Sequence, residues 1–375
     1  MSILLLILGL FLFVMLVVVH EFGHFIASRR NGVDVEEFGI GFPPRVWSKR
    51  LKSGLLLTLN ILPLGGFVRM KGEHDADTTK GSLGAASLRA KTKIMLAGVG
   101  MNLLAAFVLL TILAWVGIPK LVDNQFTIKR DTKTLQNQVL VGFVEPNSPA
   151  SHAGLQVRDQ LLSISKQGAS PEMVQSADSL PNLTKQLAGQ PVALTIKRDG
   201  KDKTLDLTLR TAAVVQASQK SANPKGYLGI SPSEYTLLRS TWSAPIVAGG
   251  LIGQFTALTL QGLGHALSAL FRGNTSQASA QVTGPVGIYS ILKTGSLLGY
   301  QFILMIVAII SLTLAIMNVL PIPALDGGRL FVTYLFRIIR RRLTPKTEDL
   351  IHGTGFALLM VLFVLITIVD IRRFY

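Results

Sequence analysis

The chain has 375 residues, of which 49% are hydrophobic and only 15% are charged, and its mean hydropathy is +0.45. These values are typical of an integral membrane protein with a soluble part and exclude an ordinary globular cytosolic enzyme. Cysteine is absent, so any metal must be held by histidines and carboxylates. The net charge of +16 lies largely beside apolar segments, which favours a lipid bilayer over nucleic acid as the partner.

Four apolar stretches, residues 3–26, 94–118, 300–320 and 351–369, are long enough to cross about 30 Å of hydrocarbon as helices. The first has neither a basic start nor a small-residue cleavage site, so we expect a retained span and no cleaved signal peptide. A fifth stretch, residues 244–271, is interrupted by several glycines and by His265. We predict that it is an interfacial or broken helical segment that does not cross the membrane.

The distribution of lysine and arginine predicts the orientation. Residues 29–93 hold twelve basic and six acidic residues, and residues 329–346 are again basic. Both regions should face the cytoplasm, which leaves both termini outside. The long segment 120–239 then lies outside, because long domains translocate largely regardless of their charge. Its sequence indicates short strands, turns and one helix, followed by a linker at 211–226.

The cytoplasmic loop between the first two spans contains the stretch LLLTLNILPLGGFVRMKGE. It indicates short extended pieces, although polar and apolar residues do not alternate cleanly. Gly65 and Gly66 suggest a turn, or a backbone that approaches another group closely.

The first span ends in HEFGH, which fits the H-E-x-x-H pattern of zinc hydrolases. His20 and His24 are one helical turn apart, so both imidazoles leave the same face and can share a tetrahedral zinc ion. Glu21 lies about 100° round the helix, where it can act as the base toward a water molecule. The alternative is three buried polar groups without a metal, each of which would cost at least ~2.5 kcal/mol inside a membrane. The clustering therefore favours zinc.

Such a site needs a third protein ligand and an open fourth position. The best candidate is Asp326 in NVLPIPALDGG, which closes the third span. Pro321 and Pro323 should break the helix before it, and Gly327 and Gly328 should free the chain after it. A helix cap is the alternative role for Asp-Gly-Gly.

With HEFGH and NVLPIPALDGG in these places, the chain resembles the site-two proteases, and especially the bacterial RseP-type intramembrane zinc metalloproteases. Further motifs that carry the resemblance are FGIGFPP, PLGGFVRMKGE, LAGVGMN, GYLGISP and TGPVGI. The resemblance implies a polytopic α-helical membrane protein of about four spans, with a membrane-associated β region and an inserted extracytoplasmic PDZ-like domain. The implied location is the bacterial cytoplasmic (inner) membrane, with the active site near its cytoplasmic side.

By the resemblance, His20, His24 and Asp326 hold Zn²⁺ and Glu21 is the catalytic base. Asn318 matches an asparagine of the family that contacts substrate near the scissile bond, and it is counted among the catalytic residues. The glycines at the turn of the β region are expected to contact an unwound substrate by strand pairing. The expected substrate-binding residues are Gly65, Gly66, Asn318, Pro321 and Pro323.

The implied domains are an N-terminal membrane domain (1–119), a PDZ-like domain with its linker (120–226), the interfacial or broken segment (227–293) and a C-terminal membrane domain (294–375). Arg158 stands where the family often has glycine, and this difference is expected to alter a turn. In the second span Gly98 and Asn102 keep the family's spacing, whereas Val99 and Gly100 replace its usual Ala-Gly-Pro continuation. A glycine in a span is often explained by helix packing alone. The PDZ-like domain would either bind peptides or act only as a steric module.

The resemblance implies regulated intramembrane proteolysis of single-span membrane proteins, such as pre-trimmed anti-sigma factors or remnant signal peptides. One alternative is a metal transporter, which should place ionisable groups along a path through the bilayer. The other is a membrane-anchored PDZ scaffold without catalytic activity.

Overall fold

The computed structural model describes residues 2–166, 168–198, 200–221 and 223–374. The chain forms two compact units. The membrane unit comprises the residues up to Ile118, Asn124–Asp131 and the residues from Ser240 onward, and the inserted unit comprises Pro119–Asp123 and Thr132–Arg239.

Helices and strands are numbered in chain order. They are α1 (Ser2–Arg30), β1 (Val35–Arg50), β2 (Leu56–Met70), α2 (Leu88–Val116), β3 (Ile118–Pro119), β4 (Lys133–Val144), α3 (Pro149–His152), β5 (Gln160–Lys166), β6 (Glu172–Met173), α4 (Ser179–Gln186), β7 (Pro191–Arg198), β8 (Lys201–Thr208), α5 (Ala212–Ser218), β9 (Ile230–Arg239), α6 (Ala244–Phe271), α7 (Thr275–Ala280), α8 (Pro285–Gly295), α9 (Tyr300–Val319), α10 (Asp326–Ile338) and α11 (Pro345–Phe374).

Within the described residues, five helices are long and apolar enough to cross a membrane, namely α1, α2, α6, α9 and α11. Four of them coincide with the four predicted spans, so the chain is a multi-pass membrane protein. The fifth, α6, is one continuous helix of 28 residues, and the prediction of a broken helix was wrong in that respect. Its glycines are tolerated because the intrahelical hydrogen bonds remain intact. An interfacial position for α6 stays a prediction.

The segment between α1 and α2 forms a long antiparallel hairpin of β1 and β2, closed at residues 51–55 by a hydrogen bond from Leu51 N–H to Leu55 O. The hairpin is irregular, and Glu37–Ile40 also lie beside Leu56–Leu59. Gly66 therefore lies within β2, opposite Ile40. Gly65 and Gly66 are not in the turn at residues 51–55, but Gly66 ends a second reversal of the chain, because residues 56–59 and 66–69 pair with residues 37–40 in opposite directions.

The inserted unit is built on a sheet of seven strands in the order β3-β9-β4-β5-β7-β8, with β6 beside β5. Its core is apolar and includes Val141, Ile164, Leu194 and Ile196. The unit ends at Arg239 and not at 226, because β9 pairs along most of β4. The predicted linker at 211–226 contains α5, which begins at an N-cap formed by Thr211.

Arg158 adopts a φ of 77° in the turn before β5. This left-handed conformation favours glycine, which explains why a non-glycine residue is unusual at this position. The turn is kept by a hydrogen bond from Arg158 N–H to Val141 O at 2.6 Å.

The TGPVGI motif starts α8 and is tied to α11. The carboxylate of Asp370 is buried and accepts hydrogen bonds from the backbone N–H groups of Gly284 at 2.9 Å and Gly287 at 2.7 Å. The first N–H groups of a helix have no partner within the helix. Asp370 therefore supplies the cap for α8 from a distant part of the chain.

Candidate metal centre

His20, His24 and Asp326 converge on one point in the membrane unit. The Nε2 atoms of both histidines lie 3.1 Å from Oδ2 of Asp326 and 3.1 Å from each other. The three side chains come from the C-terminal half of α1 and the first residue of α10. A contact between residues more than 300 positions apart in the chain brings together the three residues that the sequence predicted as metal ligands.

The three donor atoms suit zinc. A tetrahedral zinc ion with bonds of about 2.0–2.2 Å separates its ligand atoms by about 3.4 Å, and the observed separations of 3.1 Å are close to that value. Two imidazoles and one carboxylate are also a donor set of catalytic zinc sites. Both histidines are buried, whereas 22% of the Asp326 side chain is exposed, so the centre is open on the side of the carboxylate.

The other ring nitrogen of each histidine has its own partner. Nδ1 of His24 lies 2.8 Å from the backbone oxygen of Ile94 in α2, so Nδ1–H donates and Nε2 is left for the metal. Nδ1 of His20 lies 3.2 Å from the side-chain amide of Asn102, also in α2. The sequence had marked Asn102 only as a residue that keeps the family's spacing.

Two glycines allow α1 and α2 to approach closely at this point. A Cβ atom on Gly98 would lie 2.5 Å from Nε2 of His24 and 2.6 Å from Cε1 of His20. A Cβ atom on Gly23, inside HEFGH, would lie 2.5 Å from the backbone oxygen of Ala97. Only glycine fits at either place. Small residues commonly allow this close approach between helices in membranes.

Glu21 lies between the three ligands, with which its carboxylate interacts electrostatically, and the strand β2. Its Cγ lies 3.2 Å from the position that a Cβ of Gly66 would take, and the backbone N–H of Val68 is within hydrogen-bonding range of its carboxylate. The glycine pair was predicted to lie either at a turn or where the backbone closely approaches another group. Gly66 is the second case, and it makes room for Glu21.

The chain between α9 and α10 positions Asp326. Helix α9 ends at Val319, and Ala324 takes a φ of 79°, a conformation that non-glycine residues rarely adopt. The backbone N–H of Ala324 donates to Nδ1 of His352 in α11 at 3.2 Å. Gly355, also in α11, leaves no room for a Cβ atom against Pro323. Helix α11 therefore supports the loop that ends at Asp326.

The expectation that Gly327 and Gly328 free the chain was wrong. Both glycines are buried in the first turn of α10. A Cβ atom would lie 2.3 Å from the backbone oxygen of Val319 at Gly327, and 1.9 Å from that of Ile322 at Gly328. The two glycines are needed because α10 starts in direct contact with the loop that precedes it.

The remaining predicted site residues lie in α9, in the loop before α10 and in β2. Asn318 lies in the last turn of α9 and is partly buried. Pro321 is exposed, and Pro323 is partly buried beside α11. Gly65 lies in β2. Contact of these residues with a substrate stays a prediction.

One turn after Asp326, the guanidinium of Arg329 anchors α10. It lies 3.1 Å from the carboxylate of Glu73 and 3.9 Å from that of Glu348 in α11. Lys91 of α2 forms an ion pair with Asp75 in the same region. These pairs tie the segment after β2 to the helix that begins with the aspartate ligand. No local pattern in the sequence indicated this role.

An H-E-x-x-H helix, a distant aspartate and several membrane-spanning helices together define a membrane-embedded metalloprotease. The sequence pattern of Peptidase family M50 matches residues 8–362, and the chain belongs to this family of site-two proteases. It is a zinc metalloprotease, as the resemblance of its motifs implied.

Several bacterial proteins are similar to this chain over nearly its whole length. A candidate zinc metalloprotease of Clostridium perfringens is 32% identical over 363 residues, which cover 97% of either chain. Eep of Enterococcus faecalis, a candidate protease, is 26% identical over 97% of either chain. A candidate zinc metalloprotease of Campylobacter jejuni is 29% identical over 96% of this chain and 90% of its own.

Proposed function

We propose that this protein cleaves peptide bonds within the transmembrane segments of single-span membrane proteins. The observation that carries the proposal is the convergence of His20, His24 and Asp326 beside apolar helices, with Glu21 on the neighbouring face of α1. These charged and polar groups are costly inside a membrane. They are useful there if the bond to be cut lies at the same depth.

His20, His24 and Asp326 would hold the zinc ion, and Glu21 would act as the base. When bound, zinc polarises the peptide carbonyl and lowers the pKa of a water molecule to about 7. Glu21 takes a proton from the attacking water and passes it to the leaving amine. The backbone of Gly66 and Val68 lies beside its side chain and would hold it in position.

The hairpin of β1 and β2 gives the substrate a place to unwind. A transmembrane helix has all its amides hydrogen-bonded, so the scissile bond must be extended before water can attack it. Pairing with β2 near Gly66 would hold the extended chain beside Glu21. Asn318, at the end of α9, would contact the substrate near the scissile bond.

The inserted unit would act as a filter on the outer side of the bacterial cytoplasmic membrane. By this proposal it is a PDZ-like domain that admits substrates already shortened by another protease. Remnant signal peptides and trimmed anti-sigma factors fit that requirement, because they keep one span and little else.

The test compares cleavage of a truncated single-span reporter by the wild-type protein and by Glu21→Gln, with zinc content measured for both. The variant should keep its zinc and lose about 10²–10⁴-fold in rate, the usual contribution of a general base. Glu172→Gln makes the same chemical change at an exposed position of β6 and should leave the rate unchanged. Equal cleavage by wild type and Glu21→Gln would overturn the proposal.

A further inference from the structure

A buried amide beside the metal centre has no role in the mechanism above. Asn102 in α2 is 1% exposed, and its Nδ2 atom lies 3.2 Å from Nδ1 of His20. Its Oδ1 atom is buried without a hydrogen-bond partner among the described residues. A buried polar group that lacks a partner typically costs about 1–3 kcal/mol. A leucine would fill a similar volume without that cost, so the amide needs an explanation.

The backbone of Asn102 is fixed from the opposite side. The hydroxyl of Ser311 in α9 donates to Asn102 O at 2.7 Å, and this bond is buried. The residue therefore connects α9, which leads to Asp326, with His20 of α1.

The chemistry of His20 decides which end of the amide it needs. Its Nε2 atom is directed at His24 and Asp326. A neutral imidazole that binds a metal through Nε2 carries its hydrogen on Nδ1, and this N–H requires an acceptor. His24 meets the same requirement with the backbone oxygen of Ile94. The side-chain amide of Asn102 lies next to Nδ1 of His20. A 180° rotation of this amide places its oxygen, in place of its nitrogen, where it can accept the hydrogen bond.

We propose that Asn102 is the positioning residue of His20. Its amide oxygen accepts the hydrogen bond from Nδ1–H, which fixes the tautomer and the ring orientation that present Nε2 to zinc. This inference rests on the proposed metal site and adds a residue to it. Partners of this kind commonly change metal affinity by 10–100-fold when they are removed.

The experiment measures zinc affinity by chelator competition in the full-length protein in detergent. Asn102→Leu removes the acceptor at similar volume and should weaken zinc binding by about 10–100-fold. Asn102→Asp keeps an oxygen in place and should restore affinity to within about threefold of wild type. Thr111→Val, also buried in α2 with its hydroxyl bonded to Phe107 O, is the matched control and should bind zinc as wild type does.

A second readout is the visible spectrum of the protein loaded with Co²⁺, which reports the ligand geometry independently of activity. Asn102→Leu should shift the band, and Asn102→Asp should restore it. Unchanged zinc affinity in Asn102→Leu would overturn the inference, as would a loss in Asn102→Asp as large as in Asn102→Leu. If Asn102→Leu does not fold, Asn102→Ala takes its place with the same expectation.

The two proposals fail differently. If the wild-type protein binds no zinc, or if His24→Ala binds it unchanged, the metal site itself is wrong and both proposals fall. If wild type binds zinc through His24 but Asn102→Leu matches it, only the role of Asn102 is wrong.

Discussion

Gly98 of α2 lies directly against His24 of α1, so that a Cβ atom on the glycine would stand 2.5 Å from Nε2 of the imidazole. The same atom would lie 2.7 Å from Nε2 of His20. A single missing methyl group in one helix therefore leaves space for both histidine ligands in another. The surface of α2 is as much a part of the metal centre as the H-E-x-x-H motif.

Gly98→Ala should disturb the metal centre and leave the fold largely intact. The new methyl group overlaps both imidazoles, which must turn away, so we expect zinc affinity to fall by at least about tenfold. The measurement is zinc retention against a chelator. Gly100→Ala, two residues further on, meets no atom within 4 Å and should bind zinc normally. Normal zinc affinity in Gly98→Ala would show that α2 can move away from α1.

Gly66→Val should impair catalysis and leave zinc bound. A Cβ at Gly66 would stand 3.2 Å from Cγ of Glu21 and 3.1 Å from Gly39 O, and the further methyl groups of valine would push the carboxylate out of place. Because Glu21 is not a ligand in this arrangement, we expect kcat to fall by about 10²-fold with unchanged zinc content. A variant that loses zinc and activity together would contradict this separation of roles.

Asp370→Ala should destabilise the C-terminal part of the membrane unit. The change leaves the N–H groups of Gly284 and Gly287 buried without the acceptor that they have now, at about 1–3 kcal/mol each. The thermal unfolding temperature in detergent should fall clearly, and less so for Asp370→Asn, which keeps an acceptor. Thr367→Val, one turn earlier on α11 with its hydroxyl bonded to Phe363 O, is the control. Equal stability of Asp370→Ala and Thr367→Val would refute the capping role.

The ion pair between His74 and Asp349 predicts a pH dependence. The two side chains lie 2.8 Å apart, and this hydrogen bond raises the pKa of His74 above its ordinary value. A raised pKa means that the pair stabilises the fold below pH 6.5 or so and that this contribution is lost as the pH rises through the raised value.

The test compares the unfolding temperature of wild type and Asp349→Asn across the pH range. Wild type should be more stable at pH 6, by no more than about 2 °C because the pair is exposed, and the two proteins should agree at pH 9. A difference that grows with pH would have the wrong sign for this explanation. Glu348 and Arg329 also lie near His74, and both are unchanged in the variant.

The sequence alone predicted the chemistry of the centre because its ligands obey local rules. The spacing in HEFGH predicts the geometry of its two histidines, since residues one helical turn apart share a face of the helix. Asp326 was found by composition, because acidic residues are rare next to the apolar spans. The four predicted spans were equally visible, because about 20 apolar residues are needed to cross a membrane.

Contacts between distant segments were beyond such rules. The pairing of β9 with β4 depends on partners far away in the chain. The two glycines after Asp326 were read as flexible, although their role is steric. A glycine has the same appearance in a sequence whether it bends the chain or makes room for a neighbour.

The sequence by itself therefore determined which residues could bind zinc and that they lie in a membrane protein. Only the tertiary structure decided what surrounds them, namely Gly98 against the imidazoles, Asn102 beside His20 and Gly66 beside Glu21. The physical reason is that ligand identity follows from side-chain chemistry and helical spacing. Ligand position is set by the packing of α1 against α2, β2 and α10, which no local pattern encodes.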